Sequence, residues 1–533
     1  MAVLLAACSV MERRPPSSSH DVSRADASPR VAGQAPASAS SPARRARHVI
    51  LMINDGAGWG TWDAAAYWQH GGRHRLPYAG FAEQYGMTTY PLNTEDEPTH
   101  DAVMRGGYDP ARAWDARPTG EPTLPFEGYQ YLSTQPTDSA AAGTALASGH
   151  KTYNQAINHD NFGKPLDFIT LTAREQGKAT GIVTSVPFSH ATPAAFGAQN
   201  RSRKSYHEIA DQMLSQGHLD LIFGMGAPGF NQNGTPCERL AEGESREGCA
   251  SSAHEFLSRQ SWARLSSGQW RPAGASGPWQ VIRRKADFEA LARGERRVEG
   301  PLFGSPEVSG SGTLQQQREL KILGRDDGNP SGIAYIPGVP SLATMTEAAL
   351  KHLARDRDGF FMMVEGGATD WAAHTSECTD RWSYSECQEG RPEYGRLIEE
   401  TVAFNEAVRT VVDWVEENSS WDETLLIVTS DHDNSVPLGS QGNRQAFQPV
   451  ENRGKGVMPG ISFRKTGDHS NALVPLWAHG AGAEAFRLRI RGQDQGLARH
   501  VSLIRNEGRY VDNTDVYQVM RAALTGVPVQ PVR

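Results

Sequence analysis

The 533 residues are 38% hydrophobic and 21% charged, a globular composition with enough length for a large buried core. A net charge of −8, with no basic face, argues against nucleic acid as the main partner. No apolar run approaches the about 18 residues that a membrane-spanning helix needs.

In chain order, MAVLLAAC (residues 1–8) reads as the end of a secretory signal of the lipoprotein type, with Cys8 as the lipidated residue. It lacks a positive leading region, which implies a start inside a longer signal; eight apolar residues at a terminus also arise by chance. Residues 9–46 are rich in Ser, Pro and Ala, most densely from Pro15 to Pro42, and predict a disordered tether. The other four cysteines fall in two close pairs, Cys237 with Cys249 and Cys378 with Cys387, spaced to close two short loops. That pattern fits an exported protein in a periplasmic or membrane-anchored setting, although free thiols in a cytosolic protein would share it. Neither pair has the CxxC spacing of a zinc–thiolate site.

From residue 47 the chain alternates buried strands with amphipathic helices. HVILMIND (His48 to Asp55) is a continuous apolar run that breaks into polar and glycine residues, the pattern of a buried strand ending in a loop. The pattern recurs in ATGIVTSV, LDLIFGMG, GFFMMVEGG, TLLIVTSDHD and ALVPLWAHG. Helices are predicted over Pro165–Gly177, Ser205–Gly217 and Glu393–Asn418. The alternation predicts an α/β protein whose mostly parallel sheet is covered on both faces, with its chemistry beyond the carboxyl ends of the strands. Two polar stretches, about 93–128 and 231–337, interrupt the rhythm and read as surface insertions.

Several residues that can do chemistry sit at those strand ends. Asp55 closes the first strand before flexible glycines, which an ordinary turn would also explain. In VEGGATDWAAH, Asp370 and His374 are four apart on one helix face and able to grip one metal ion, while Glu365 is placed for another. A helix-capping Asp370 with a surface His374 fits equally. Asp431 and His432 end an apolar strand; neighbours on a strand point to opposite faces, so they converge only if the strand has stopped. His469 precedes the last apolar run and reads alone as a structural histidine. Together these oxygen and imidazole donors suit Zn²⁺ and Mg²⁺. Ser139, in QPTDSAAAGTALASGH, is either a helix-end residue or a nucleophile.

Six segments taken in order, INDGAGWG, PTDSAAAGTALASGHKTYN, HATPAAFGAQNRSRK, VEGGATDWAAH, VTSDHDN and GDHSNALVPLWAHG, resemble the alkaline phosphatase family. The resemblance runs from about His48 to VDNTDVYQVM and leaves out both insertions and the N-terminal tract. It implies a three-layer α/β/α catalytic domain over 47–533, two zinc ions and one magnesium ion, and hydrolysis of phosphate monoesters through a phosphoserine at Ser139. It implies Asp370, His374 and His469 as ligands of the first zinc, and Asp55, Asp431 and His432 as ligands of the second. Asp55, Thr192 and Glu365 match the magnesium ligands. Arg203, with Asp138 and Trp371 beside it on the substrate side, matches the arginine that forks onto phosphate oxygens; Arg201 is its rival. His190 stands where some bacterial members carry aspartate, and Trp371 where others carry lysine or histidine. His190 is therefore placed behind the magnesium ligands. Dimerisation is common in the family. A phosphodiesterase on the same scaffold is the alternative activity. A sulfatase is disfavoured because TDSAAAG lacks the C/S-x-P-x-R motif, and a phosphate- or metal-binding surface protein without turnover is the non-enzymatic reading.

Overall fold

Strand β1 (His48–Asn54) lies near the middle of an 11-stranded sheet because its residues are apolar on both faces. The structure is a computed structural model that describes residues 45–533 apart from 310–312, 316, 375–390, 465–467, 502 and 533. The expected signal over 1–8, the tether except its last two residues, and the Cys378–Cys387 pairing lie outside the described residues.

The other strands of the sheet are β2 (Glu83–Thr88), β3 (Ala179–Pro187), β4 (Leu221–Met225), β5 (Gln280–Ile282), β6 (Leu302–Gly304), β7 (Phe360–Gly366) and β8 (Thr424–Thr429). A short pair, β9 (Asp433–Asn434) and β10 (His469–Ser470), stands apart, and β11 (Val474–Gly480), β12 (Gly492–Gln493) and β13 (Arg509–Asp512) complete the main sheet. Its order is β12-β13-β2-β11-β8-β1-β7-β3-β4-β6-β5. β1 pairs in parallel with β7 and β8, and β3 in parallel with β7. β11 runs antiparallel to both its neighbours.

Alternate residues of β1 point to opposite cores, as the two-residue period requires. Ile50 and Met52 join one apolar cluster with Val408 and Val411 of the helix Arg391–Asn418. Val49, Leu51 and Ile53 join the other with Leu146 of the helix Ser139–Ser148 and Met520 of the helix Asn513–Thr525. The result is the three-layer α/β/α arrangement that the sequence predicts. The predicted helices are present as Ile169–Glu175, Tyr206–Ser215 and Arg391–Asn418.

The stretch 231–337 differs from its reading as a surface insertion. It contributes β5 and β6 to the sheet, and Phe288, Leu302 and Phe303 are fully buried. Three-residue strands carry too little periodicity to be recognised in a polar sequence. Cys237 and Cys249 form a disulfide across this region, with Cα atoms 5.8 Å apart. Among the described residues, no helix is long and apolar enough to cross a membrane.

Candidate active site

Strand register assembles the site. Ile53 of β1 stands beside Glu365 of β7 and Thr429 of β8, so the residues that follow emerge together at one sheet edge. β8 stops at Thr429, which frees Asp431 and His432 from strand alternation. His469 arrives from the other direction. Because β11 is antiparallel, its leading segment lies at this edge, and His469 pairs with Asn434 across the β9–β10 ladder.

Two groups of donors face each other. In the first, Asp370 reaches His374 Nε2 at 3.2 Å and His469 Nε2 at 3.3 Å, and those two nitrogens are 3.1 Å apart. In the second, His432 Nε2 is 3.3 Å from Asp55 and 3.4 Å from Asp431. Asp370, His432 and His469, and likewise Asp55, Asp431 and His432, each offer ligand atoms within 4.8 Å of one another. Thr192 donates to Asp55 at 3.5 Å, and Thr184 donates to Glu365.

The charge state of this cluster shows what it suits. Burial, then repulsion from Asp431, Asp370 and Glu365, pushes the Asp55 carboxyl well above its usual range. Burial also pushes Glu365 up to about 8 and Asp431 to about 6. Against the opposing effect of burial, His374 and His469 hold Asp370 well below the ordinary value. Among the described residues, Asp55 Oδ1, Asp431 Oδ2 and Glu365 Oε1 are buried without a hydrogen-bond donor. Carboxylate oxygens crowded and orphaned in this way fit divalent cations, which would supply the missing partners. His469 Nδ1 lies 2.8 Å from the Thr137 carbonyl, which leaves Nε2 as the donor atom toward the cluster.

Ser139 is the first residue of its helix, and its Oγ lies 3.2 Å from His432 Nε2. Asp138 caps that helix, one carboxylate oxygen accepting from Ala141 N at 2.9 Å. The other oxygen accepts from Arg203 at 3.1 Å and from Gln155 N at 3.1 Å. Arg203 Nη2 in turn lies 3.2 Å from His190 Nε2. Burial, then the Arg203 charge, lowers His190 to about 3, so it faces the arginine as a neutral ring. Trp371 stands edge-on to His190 with ring centres 5.4 Å apart. The sequence-predicted site residues, Arg201 excepted, thus come to one place. The Arg201 guanidinium turns away to Gly163 O at 3.3 Å, which leaves Arg203 at the site.

Sequence reasoning missed the residues behind the donors. Asn434 donates to Asp370 Oδ1 at 2.8 Å. Asp433 accepts from Ser470 Oγ at 2.5 Å and ties the His432 loop to the His469 segment. Thr184 was legible only as a polar residue inside an apolar strand.

The profile of the alkaline phosphatase family matches residues 126–269 and 315–462, which include parts of the 231–337 stretch. Alkaline phosphatase 3 of Bacillus subtilis is 28% identical over 324 residues, 59% of this chain and 53% of that protein, so the chain spans about half of its length. The alkaline phosphatase of Escherichia coli is 25% identical over 90% of this chain and 86% of that protein. A histidine-to-aspartate mutant of the alkaline phosphatase of the Antarctic bacterium TAB5, solved with Mg bound in the M3 site, shares the fold. Its TM-score is 0.52 at 19% identity, over 90% of this chain and 99% of that one.

Proposed function

Since this chain belongs to the alkaline phosphatase family, we propose that it hydrolyses phosphate monoesters to alcohol and inorganic phosphate with Ser139 as nucleophile. The observation that supports this most directly is the Ser139 hydroxyl at a helix start, 3.2 Å from His432 Nε2, a residue common to both clusters of ligand atoms.

In this reading Asp370, His374 and His469 hold one zinc, Asp55, Asp431 and His432 a second, and Asp55, Thr192 and Glu365 a magnesium. Such cations supply Lewis acidity to the attacking and leaving oxygens of phosphoryl transfer. Ser139 Oγ attacks phosphorus, the alcohol departs, and water then hydrolyses the phosphoserine. Arg203, oriented by Asp138 and backed by His190, forks onto the non-bridging oxygens of a terminal phosphate, which favours monoesters. The positive end of the Ser139 helix dipole adds to that stabilisation. Trp371 walls the substrate side and can offer its indole N–H, but not a charge. The Leu5-Ala6-Ala7-Cys8 motif and the Cys237–Cys249 disulfide support an exported setting.

The test is hydrolysis of p-nitrophenyl phosphate between pH 7 and 10 by wild type and Ser139→Ala. Each is stripped of metal and reloaded with zinc and magnesium, with bis-p-nitrophenyl phosphate in parallel. Metal-dependent monoesterase activity that collapses in the variant supports the reading. Activity on the diester alone moves the protein to a phosphodiesterase, and no turnover on either substrate with zinc bound overturns a general monoesterase and leaves a narrow-specificity enzyme or a binding protein.

A further inference from the structure

A second cavity, of about 320 Å³, lies between the helices Arg391–Asn418 and Leu342–Leu353 and the Leu314–Val339 segment. None of the metal-donor residues lines it. Its walls include Leu314, Ile336, Val339 and Leu342, and it opens beside Tyr335, which is 41% exposed. Glu399, Ala403 and Glu406 stand at i, i+4 and i+7 on one helix face, and the small Ala403 leaves room above the acids.

Its polar lining is mostly acidic, and burial raises Glu399, Glu400 and Glu406. Four carboxylates, of Glu289, Glu399, Glu400 and Glu406, line it against one lysine, Lys285, whose ammonium donates to Pro337 O at 3.2 Å. Glu399 is 2% exposed and Glu400 5% exposed. Glu399 spends one oxygen on Arg318 at 2.6 Å. Arg318 is otherwise engaged by the carbonyls of Ala334, Gln315 and Ile333 and by the Ser331 hydroxyl, so it does not turn toward Glu400. Burial, then Glu399, pushes Glu400 up to about 8 against the fields of Arg318 and Arg396, so near neutral pH it holds a proton that a bound ammonium would displace; Arg396 also donates to Arg318 O at 2.8 Å. Glu399 Oε2 and Glu400 Oε1 accept no hydrogen bond among the described residues. A buried carboxylate oxygen without a donor is costly unless a ligand supplies one. Acidic groups beneath apolar and aromatic walls match an ammonium on an apolar body better than a hydrated metal ion.

We propose that this cavity binds a small organic cation, its ammonium on Glu400 and its apolar body against Leu342 and the Tyr335 ring. The site is independent of the phosphatase reading, since it shares no residue with the donor groups. It does adjoin them: Ser185 lines its inner end and accepts from Ala368 N at 3.4 Å, the first residue of the helix that carries Asp370 and His374.

The experiment titrates benzylamine into the metal-loaded full chain, by calorimetry and saturation-transfer NMR, with benzyl alcohol as the neutral isostere and calcium chloride as the metal arm. Glu400→Gln removes the charge and keeps the shape; Ala403→Met fills the cavity and keeps the charges. Saturable binding of benzylamine, not matched by benzyl alcohol, is expected. It should weaken in Glu400→Gln by roughly 10- to 100-fold, the range of one charge-assisted hydrogen bond, and vanish in Ala403→Met. If either variant fails to fold, as judged by circular dichroism, the other carries the test. Absence of saturable binding, binding untouched by the folded variants, or binding of calcium in place of the amine overturns the proposal.

Discussion

Gly58 is glycine because of what it touches. Its backbone, at φ −79° and ψ 171°, is open to any residue. A β-carbon there would lie 1.6 Å from Asp433 Oδ1, 2.6 Å from its Cγ and 3.2 Å from its Cβ. Gly58→Ala therefore forces the buried Asp433 carboxylate to rotate away from Ser470 Oγ and Val436 N, at 2.5 and 3.1 Å. Overpacking costs about 1–3 kcal/mol, and two lost hydrogen bonds at about 1 kcal/mol each bring the total to roughly 3–5 kcal/mol. Asp433→Ala alone leaves the hydroxyl and the amide unpaired, at about 2–3 kcal/mol. The two changes do not add. Once the carboxylate is gone, the new methyl at position 58 meets nothing closer than the β-carbon of residue 433 at 3.2 Å. The double variant should be about as stable as Asp433→Ala, a coupling of roughly 3–5 kcal/mol between the sites. Reversible urea unfolding of the four proteins at matched metal content, followed by tryptophan fluorescence, measures the cycle. Costs that add to within about 0.5 kcal/mol would refute the close-approach argument.

Removal of metal by a chelator should lower the melting midpoint, because Asp55, Glu365 and Asp431 then repel one another without compensation. Reloading each cation at a hundredfold over its dissociation constant should return about 2.7 kcal/mol per site; equal melting with and without metal would count against the donor sets. Lys151 pairs with the buried Asp512 at 2.9 Å and donates to Asn513 at 2.7 Å, so Lys151→Met should cost roughly 3 kcal/mol or more. Against burial, Lys151 and the hydroxyls of Thr514 and Thr88 hold Asp512 below its ordinary value. Its contribution is therefore present above its unfolded pKa and lost as the pH falls through the folded one. At Lys151 burial outweighs the pairing and lowers the pKa, a cost that is relieved as the pH rises. In the variant Asp512 is buried without its cation, so the deficit in urea-unfolding free energy should be largest near neutral pH and shrink in acid. Cys237→Ser opens a disulfide spanning 12 positions and should cost about 3 kcal/mol by loop entropy, read as faster limited proteolysis within 231–269.

The legible parts of this molecule are those in which one physical cause acts over a short stretch. Continuous apolar runs marked β1, β3, β4, β7, β8 and β11, because burial on both faces leaves no room for alternation. The residues that end them, Asp55, Glu365 and Asp431, were visible as polar breaks at those ends. The antiparallel sense of β11 was hidden, since direction depends on where a strand packs and not on what it contains. β2 was hidden as well: EQYGMT is half polar and yet wholly buried, with Glu83 bonded to Tyr85 and Arg487. The partners of the site residues were least legible. Asn434, Asp433 and Ser470 matter through bonds to other loops, which no local pattern encodes.

One consequence of that difference concerns how the site is held. Asp55, Glu365, Asp370 and Asp431 are each buried; His374 and His469 lie beside Asp370 alone, and Arg203 is paired with Asp138. Four carboxylates in one low-dielectric place would drive the strand ends apart or take up protons. They remain together because each is anchored to a different rigid element. Asp55 follows β1 and Glu365 lies within its partner β7, Asp431 follows β8, and Asp370 sits on a helix tied to β9 through Asn434. The sheet thus holds the carboxyl groups close, and burial and mutual repulsion show in the raised Asp55, Glu365 and Asp431 carboxyls. A loop-borne cluster of the same composition would relax by moving apart. The neutral neighbours follow the same logic: burial lowers the basicity of His432 and His190, so their ring nitrogens stay available as donors and acceptors beside Ser139 and Arg203. In the proposed reading, the cluster's affinity for cations would reside in the register of β1, β7 and β8 as much as in the identity of the donors.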